Sequence, residues 1–359
     1  MRKTGVADLP LHYGKSPSWL FSRMKELARE ITINIVDEFG AEEMLRKLSD
    51  PFWFQAFGCT LGFDWHSSGL TTTVCAALKE GVKGLEKELG IFVAGGKGRT
   101  SRRTPLEIEE FGEHISSDSH RLIYASRMAA KIDSAGLQDG FQLYHHSFIF
   151  TKRGFWVVIQ QGMNEITRFA RRYHWQGDKI KSFVCEPHAA ICCDERRKGL
   201  NMVARESEEA RATSTFLSQE PPDRLIKELT KIKHLELSPV HRPLALDLRP
   251  KALEKILNKT CESKPHNFEE LLALKGVGPK TIRALALVSD LVYGARLSFR
   301  DPATYSFAHG GKDGYPYPVN REEYDRTISV LKRAVAEAKI GRSEKLKALK
   351  RLANLVAIS

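Results

Sequence analysis

Carboxylate, imidazole and amide side chains gather in two glycine-flanked stretches of this sequence. The first is Asp64-Trp65-His66-Ser67-Ser68-Gly69, and the second is Gln138-Asp139-Gly140-Phe141-Gln142, with His145 and His146 just beyond. A carboxylate beside an imidazole can hold a divalent metal ion or act as a general base, and either would serve phosphodiester hydrolysis. Asp64, His66, Asp139 and His146 are the candidates for that role, and a divalent metal is the cofactor it would call for. Adjacent residues on a strand point to opposite faces, so His145 and His146 cannot both ligate one ion. The same groups equally cap loops, a common use of polar residues beside glycines.

A second chemistry rests on the main chain. In the stretch from Phe268 to Leu285, Leu271, Leu272 and Leu274 anchor one helix and Ile282 continues the apolar spacing in the next. Between them, Gly276 and Gly278 permit a tight turn whose backbone can come close to a ligand. Pro279 suits the first helical position, where no amide is needed. The bare amides of that helix start then favour a phosphate. The expected phosphate-binding set is Lys275, Gly276, Val277, Gly278, Lys280, Thr281 and Arg283. A packing joint with glycines for clearance is the plainer alternative. The run Gly95-Gly96-Lys97-Gly98-Arg99-Thr100-Ser101-Arg102-Arg103 lacks the Gly-Lys-Ser/Thr of a nucleotide loop. Its cations Lys97, Arg99, Arg102 and Arg103 still suit a phosphate backbone, or a solvated loop. His309 and Lys312, in His309-Gly310-Gly311-Lys312-Asp313-Gly314, join the candidate nucleic-acid contacts or form a turn cluster.

The composition agrees with a polyanionic partner. Lysine and arginine number 56 against 44 acidic residues, a net charge of +12, and each cation set against a phosphate releases counterions. The six cysteines include no Cys-x-x-Cys pair, which argues against a structural zinc or an iron–sulfur cluster. No signal-like leader and no membrane-length apolar run is present in the sequence, so a cytoplasmic setting is expected.

These residues need elements to hold them. Trp19–Phe39 has helical spacing closed by Gly40, and a short helix spans Glu42–Leu48. Helix is expected over Thr71–Leu89 and a strand at Ile91–Ala94. Phe141–Met163 reads as a β-hairpin turning at Lys152-Arg153-Gly154, with Gln142, Tyr144, His146, Phe148 and Phe150 on one face. Glu165–Trp175, carrying Arg168, Arg171 and Arg172, reads as a helix. Residues 204–223 are polar and end in Pro221-Pro222, the mark of a linker. The fold expected is an α+β N-terminal domain (1–203) with an antiparallel hairpin or sheet, then an all-α C-terminal domain (224–359).

The Leu-rich, Gly-Val-Gly-Pro-Lys stretch resembles the helix-hairpin-helix family, which implies a C-terminal module gripping the sugar–phosphate backbone of DNA, or of RNA, without reading sequence. It also resembles helix-hairpin-helix DNA glycosylases more distantly. In bifunctional members of that family the lysine after Gly-Val-Gly-x is the Schiff-base nucleophile, with an aspartate beyond the motif. The resemblance puts Lys280 and Asp301 in those places, the amine attacking the sugar C1′ and the carboxylate stabilising the charge that develops. Lys280 serves equally as a phosphate anchor. A third resemblance covers nearly the whole chain: Thr4–Pro10, Phe54-Gln55-Ala56-Phe57-Gly58, Phe63–Gly69, Tyr144-His145-His146, Gln160-Gln161-Gly162-Met163-Asn164 and Ser306–Gly314 are similar to a conserved domain of unknown function found mainly in thermophilic prokaryotes, which implies no settled activity. The expected function is DNA processing or repair, as a glycosylase or abasic-site lyase. A metal-dependent nuclease centred on the N-terminal domain and a non-catalytic DNA- or RNA-binding module are the alternatives.

Overall fold

A computed structural model of the chain describes residues 18–63, 69–193, 197–303 and 321–358. Helix α1 (Ser18–Phe39) buries Met24, Leu27, Ile31 and Ile35 along one face. Gly40, at φ 86°, reverses the chain into α2 (Ala41–Ser49). Asp50 starts α3 (Pro51–Leu61) by accepting from the amides of Phe52 and Trp53 at 2.7 and 2.9 Å. Every residue of α3 is buried, which is why its sequence is apolar all round. Helices α4 (Gly69–Val82) and α5 (Glu86–Leu89) lead to strand β1 (Ile91–Lys97).

A 3-10 turn at Gly98–Arg103, then α6 (Thr104–Glu110) and α7 (Ser119–Lys131), separate β1 from the other strands. A π-helical turn at Ile132–Gly136 ends α7 and runs into β2 (Leu137–Gln138). The hairpin expected from alternation is present as β3 (Gln142–Thr151) and β4 (Trp156–Met163), antiparallel, with an irregularity between Leu143 and His145. The segment read as helical at Glu165–Trp175 is instead a turn and strand β5 (Ala170–Gln176). All seven residues of β5 are buried, so it shows no polar alternation, and its arginines imitate a helical face. With β6 (Ala190–Cys192) the strands form an antiparallel sheet in the order β1-β3-β4-β5-β6, while β2 pairs with β7 (Leu200–Asn201).

Beyond β7 the described chain is helical. The polar stretch expected to be a linker holds a 3-10 turn at Arg205–Ser207 and helix α8 (Glu208–Gln219). Small residues caused the misreading: Ala210, Ser214 and Ser218 are buried, and the Ser214 hydroxyl lies 3.1 Å from that of Ser289. Then follow α9 (Pro222–Ile232), α10 (Arg242–Ala245), α11 (Glu254–Ser263), α12 (Phe268–Ala273), α13 (Pro279–Leu291), α14 (Arg321–Glu337) and α15 (Arg342–Ile358).

The sheet separates two cores. One face presents Phe148, Phe150, Val158, Tyr173 and Trp175 to α7 and to the helices from α8 to α13. The other presents Ile149, Val157 and Ile159 to α1–α4, and Leu331, Val335 and Leu352 of α14 and α15 complete that layer. The last helices thus close the core that the first ones began, so the cores do not follow the sequence halves. No helix among the described residues is long and apolar enough to cross a membrane.

Candidate functional site

The turn between α12 and α13 is held from beneath. Asn267 caps α12 by accepting from the Glu270 amide at 2.9 Å. The chain then reverses through Gly276, at φ 101°, where a Cβ would fall 2.9 Å from Ile256 Cδ1. Val277 plugs into the core at 2% exposure. Side chains take up the carbonyls around the turn. Lys131 Nζ, from α7, donates to Leu274 O at 3.0 Å and to Val277 O at 2.5 Å. Lys259 Nζ donates to Lys275 O at 2.7 Å, and Gln138 Nε2 to Pro279 O at 3.0 Å. Burial, with Lys259 as a cationic neighbour, lowers the Lys131 pKa.

The donors of the turn are treated in the opposite way. Among the described residues, the amides of Gly276, Gly278, Lys280 and Thr281 give no hydrogen bond to another group, and Pro279 has none to give. Lys275 and Lys280 are exposed beside them. Acceptors tied inward and donors left over make a surface suited to an anion. Two expectations are corrected here. The side chains of Val277 and Thr281 are buried anchors, not contacts. Arg283 is engaged with Asp247 at 2.6 Å and Gln138 at 3.2 Å. Asp247 also lies 3.4 Å from Lys280 Nζ.

The carboxylates singled out as catalytic sit in a different place. Arg171, fully buried on β5, donates to Asp139 Oδ2 at 2.8 Å and to Asp301 Oδ2 at 2.7 Å. Tyr173 OH adds a 2.9 Å bond to Asp139, and the Arg197 amide a 2.6 Å bond to Asp301. The guanidinium also lies over the Phe141 ring, 4.4 Å from its centre. Burial pushes the Asp139 carboxyl up, against the pull of Arg171. Lys280 and Asp301 are therefore not joined: the lysine's ion pair is with Asp247, the aspartate's with Arg171.

His146 belongs to a third arrangement. Gln160 Nε2 donates to Asp133 Oδ2 at 2.6 Å, which turns its Oε1 to His146 Nδ1 at 2.8 Å. That nitrogen carries the proton, so Nε2 is bare and accepts from Ser126 Oγ at 2.9 Å. Asp133 also accepts from Trp175 Nε1 at 2.8 Å and binds His188 Nε2 at 2.5 Å. Burial lowers the His146 pKa, with the Gln160 bond and Asp133 opposing it. Asp139 and His146 thus satisfy internal partners, and no group of three or more His, Cys, Asp or Glu among the described residues could hold a metal.

On the opposite face, Lys97, His145, Gln161, Arg172 and Cys192 stand in register across all five strands. Arg172 reaches Gln55 of α3 at 3.0 Å, Gln161 bonds to the Tyr144 hydroxyl, and Lys97 Nζ lies 5.8 Å from the centre of the Tyr144 ring. Segments that carried the family resemblance, Gln55, Tyr144-His145 and Gln161, meet in this row. His145 keeps Nδ1 without a partner. Burial, then His146 and Lys97, lowers its pKa to about 3. Arg99, Arg102 and Arg103 are exposed on the 3-10 turn. Asp64, His66, His309 and Lys312 lie outside the described residues.

Sequence reasoning missed Lys131 and Lys259, which look like ordinary surface residues, and placed Gln138 in a different cluster; all three gain meaning only where α7, α11 and β2 converge. It also missed Asp133, whose signal was a carboxylate among apolar residues at the end of a helix. No curated relative and no solved structure matches the chain. A family model described as a protein of unknown function, DUF763, matches residues 5–319, and the chain belongs to that family.

Proposed function

We propose that this protein is a DNA-processing or repair protein that binds the sugar–phosphate backbone without sequence preference, through a helix-hairpin-helix made of α12, residues 274–278 and α13. The observation that supports this reading is the division of polarity at the turn. Its carbonyls are bound from within by Lys131, Lys259 and Gln138, and its amides are left beside exposed Lys275 and Lys280. A phosphate oxygen would accept from those amides and pair with the two lysines. Lys280 acts here as an anchor. Its side chain is 60% exposed and its ammonium shares Asp247 with Arg283, whereas the carboxylate a lyase would need is bound by Arg171.

The test is binding of the full chain to duplex DNA, single-stranded DNA and duplex RNA over a series of salt concentrations. Replacing both Lys275 and Lys280 by alanine is expected to weaken binding to every DNA sequence alike and to reduce the salt slope by about two. Unchanged affinity in that variant sinks the reading, and a preference for RNA reassigns the partner. An anchoring Lys280 also predicts no borohydride-trapped adduct on abasic DNA. An adduct lost in Lys280→Ala would restore the lyase.

A further inference from the structure

The polar row that crosses the five strands treats its two cations differently. Arg172 is enclosed: it donates to Gln55 Oε1 at 3.0 Å, to Pro51 O at 3.4 Å and to Thr71 Oγ1 at 3.5 Å, and lies over the Phe54 ring. Lys97, on the edge strand β1, is exposed and has no carboxylate partner among the described residues. Glu107, which is held against β1, is already bound by Lys79 at 2.7 Å and by the Gly95 amide at 2.7 Å. Arg99, Arg102 and Arg103 carry the unpaired charge on along the next turn.

Two donors with nothing to bond stand beside Lys97. Leu143 faces Gly162 and His145 faces Gln161, so Tyr144 is an extra residue in β3. A bulge of this kind re-aims a side chain. Strict alternation would set Tyr144 beside His146; instead its hydroxyl accepts from Gln161 Nε2 and its ring meets Lys97. The hydroxyl proton has no acceptor among the described residues. Further in, the Cys75 thiol, kept protonated by burial, meets the Ser147 hydroxyl, which lies 3.1 Å from His145 Nε2. With the thiol proton directed to Ser147 Oγ and the serine proton to Nε2, the imidazole carries its own proton on Nδ1. That nitrogen is buried without a partner, a cost that an acceptor on a ligand would remove.

We infer that the Lys97 end of the row is a binding site for a phosphate group, whose charge Lys97 pairs and whose oxygens accept from the Tyr144 hydroxyl and His145 Nδ1. An unpaired cation with two unspent donors selects an anion, and three groups suit the several oxygens of a phosphate. The source we assign is a nucleic-acid strand, because Arg99, Arg102 and Arg103 extend the charge beyond one phosphate. That source rests on the nucleic-acid role proposed for the α12–α13 turn; the site itself does not.

The test uses the full chain with its imidazole nitrogens isotopically labelled for nuclear magnetic resonance. Inorganic phosphate, a mononucleotide or a single-stranded oligonucleotide is added at constant ionic strength, and His145→Gln identifies the His145 signals. The Nδ1 signal is expected to move with all three. Lys97→Ala should weaken oligonucleotide binding about tenfold and reduce its salt slope by about 0.7. Tyr144→Phe should weaken it about fivefold with the slope unchanged, since the lost group is neutral. If none of the three ligands moves the signal, or if Lys97→Ala and Tyr144→Phe leave the phosphate-induced shift as it was, the site is overturned. If phosphate and the mononucleotide move the signal but the strand does not, the site stands and the strand is overturned as its source. The turn stands or falls separately. Strand binding lost in the Lys275 and Lys280 double variant but kept in Lys97→Ala upholds the turn and removes the strand from this site, and the converse upholds this site and removes the turn.

Discussion

The Arg171 clamp and the turn before α13 are built from the same materials, cations, carboxylates and main-chain polar groups, and they arrange them in opposite senses. At the clamp a guanidinium faces two carboxylates, which also accept from a phenol and a backbone amide, with Arg171 fully buried and Asp301 only 8% exposed. At the turn the acceptors are bound from inside, and amides and lysines remain on the surface. Charge turned inward holds distant segments together, since Asp139 and Asp301 meet through a single side chain. Charge turned outward is available to a partner. The contrast also explains why residue type alone was a poor guide: a paired carboxylate in a glycine-flanked stretch looks the same whether it faces a substrate or an arginine.

The largest effect should come from the clamp. Arg171→Met leaves two carboxylates without their cation, and stability is expected to fall by about 3–5 kcal/mol in urea denaturation. Lys280→Met should change it by less than about 0.5 kcal/mol. Equal losses would break the distinction.

Acid should expose the second inward feature. His145, His146 and His174 are buried neutral, with pKa values lowered from the ordinary 6.5 mainly by burial, in His145 to about 3. The unfolded chain takes up these protons first as pH falls below about 6.5, so their contribution is intact above that pH and is lost on the way down. The loss is up to about 1.4 kcal/mol per histidine for each pH unit. Denaturation midpoints between pH 7 and 5 measure it, and His145→Gln should make the dependence shallower.

Lys131 joins the two regions, because it is an inward cation that shapes an outward surface. Lys131→Met strands the carbonyl of Val277 and leaves that of Leu274 with only the Val277 amide, with an expected cost of about 1–3 kcal/mol and weaker DNA binding. Binding that is unaltered in the folded variant would show that the polarity of the turn does not depend on it. The smallest effect belongs to Asp247→Asn. Freeing Lys280 and Arg283 from a half-exposed carboxylate should tighten DNA binding a few-fold, with stability changed by less than about 1 kcal/mol.

The sequence made the β3–β4 hairpin legible because its alternation follows the two faces of the sheet. It also marked α1 and both flanks of the turn, where apolar spacing and glycines are local signals. Strand β5 was hidden because burial on both sides erased its period. Helix α8 was hidden because serines at a close helix contact look like linker composition. At the site, the exposed lysines and glycines of the turn were legible, but the groups that set its polarity were not. Lys131 lies 143 residues from Leu274, and no local pattern links them. Arg171 was noted only as a charge on a supposed helix, so its hold on Asp139 and Asp301 had no trace in the chain.

The return of α14 and α15 to the first helices bears on how the chain is made. Helix α1 packs against α14, and α3 against α15, so the layer under β1, β3 and β4 stays unroofed until some three hundred more residues have left the ribosome. Met24, Ile31 and Phe54 are made long before these partners and wait longest for all their neighbours. Truncation ahead of Arg321 should therefore harm α1 and α3, far from the cut, more than the helices next to it, leaving them prone to stick to other chains.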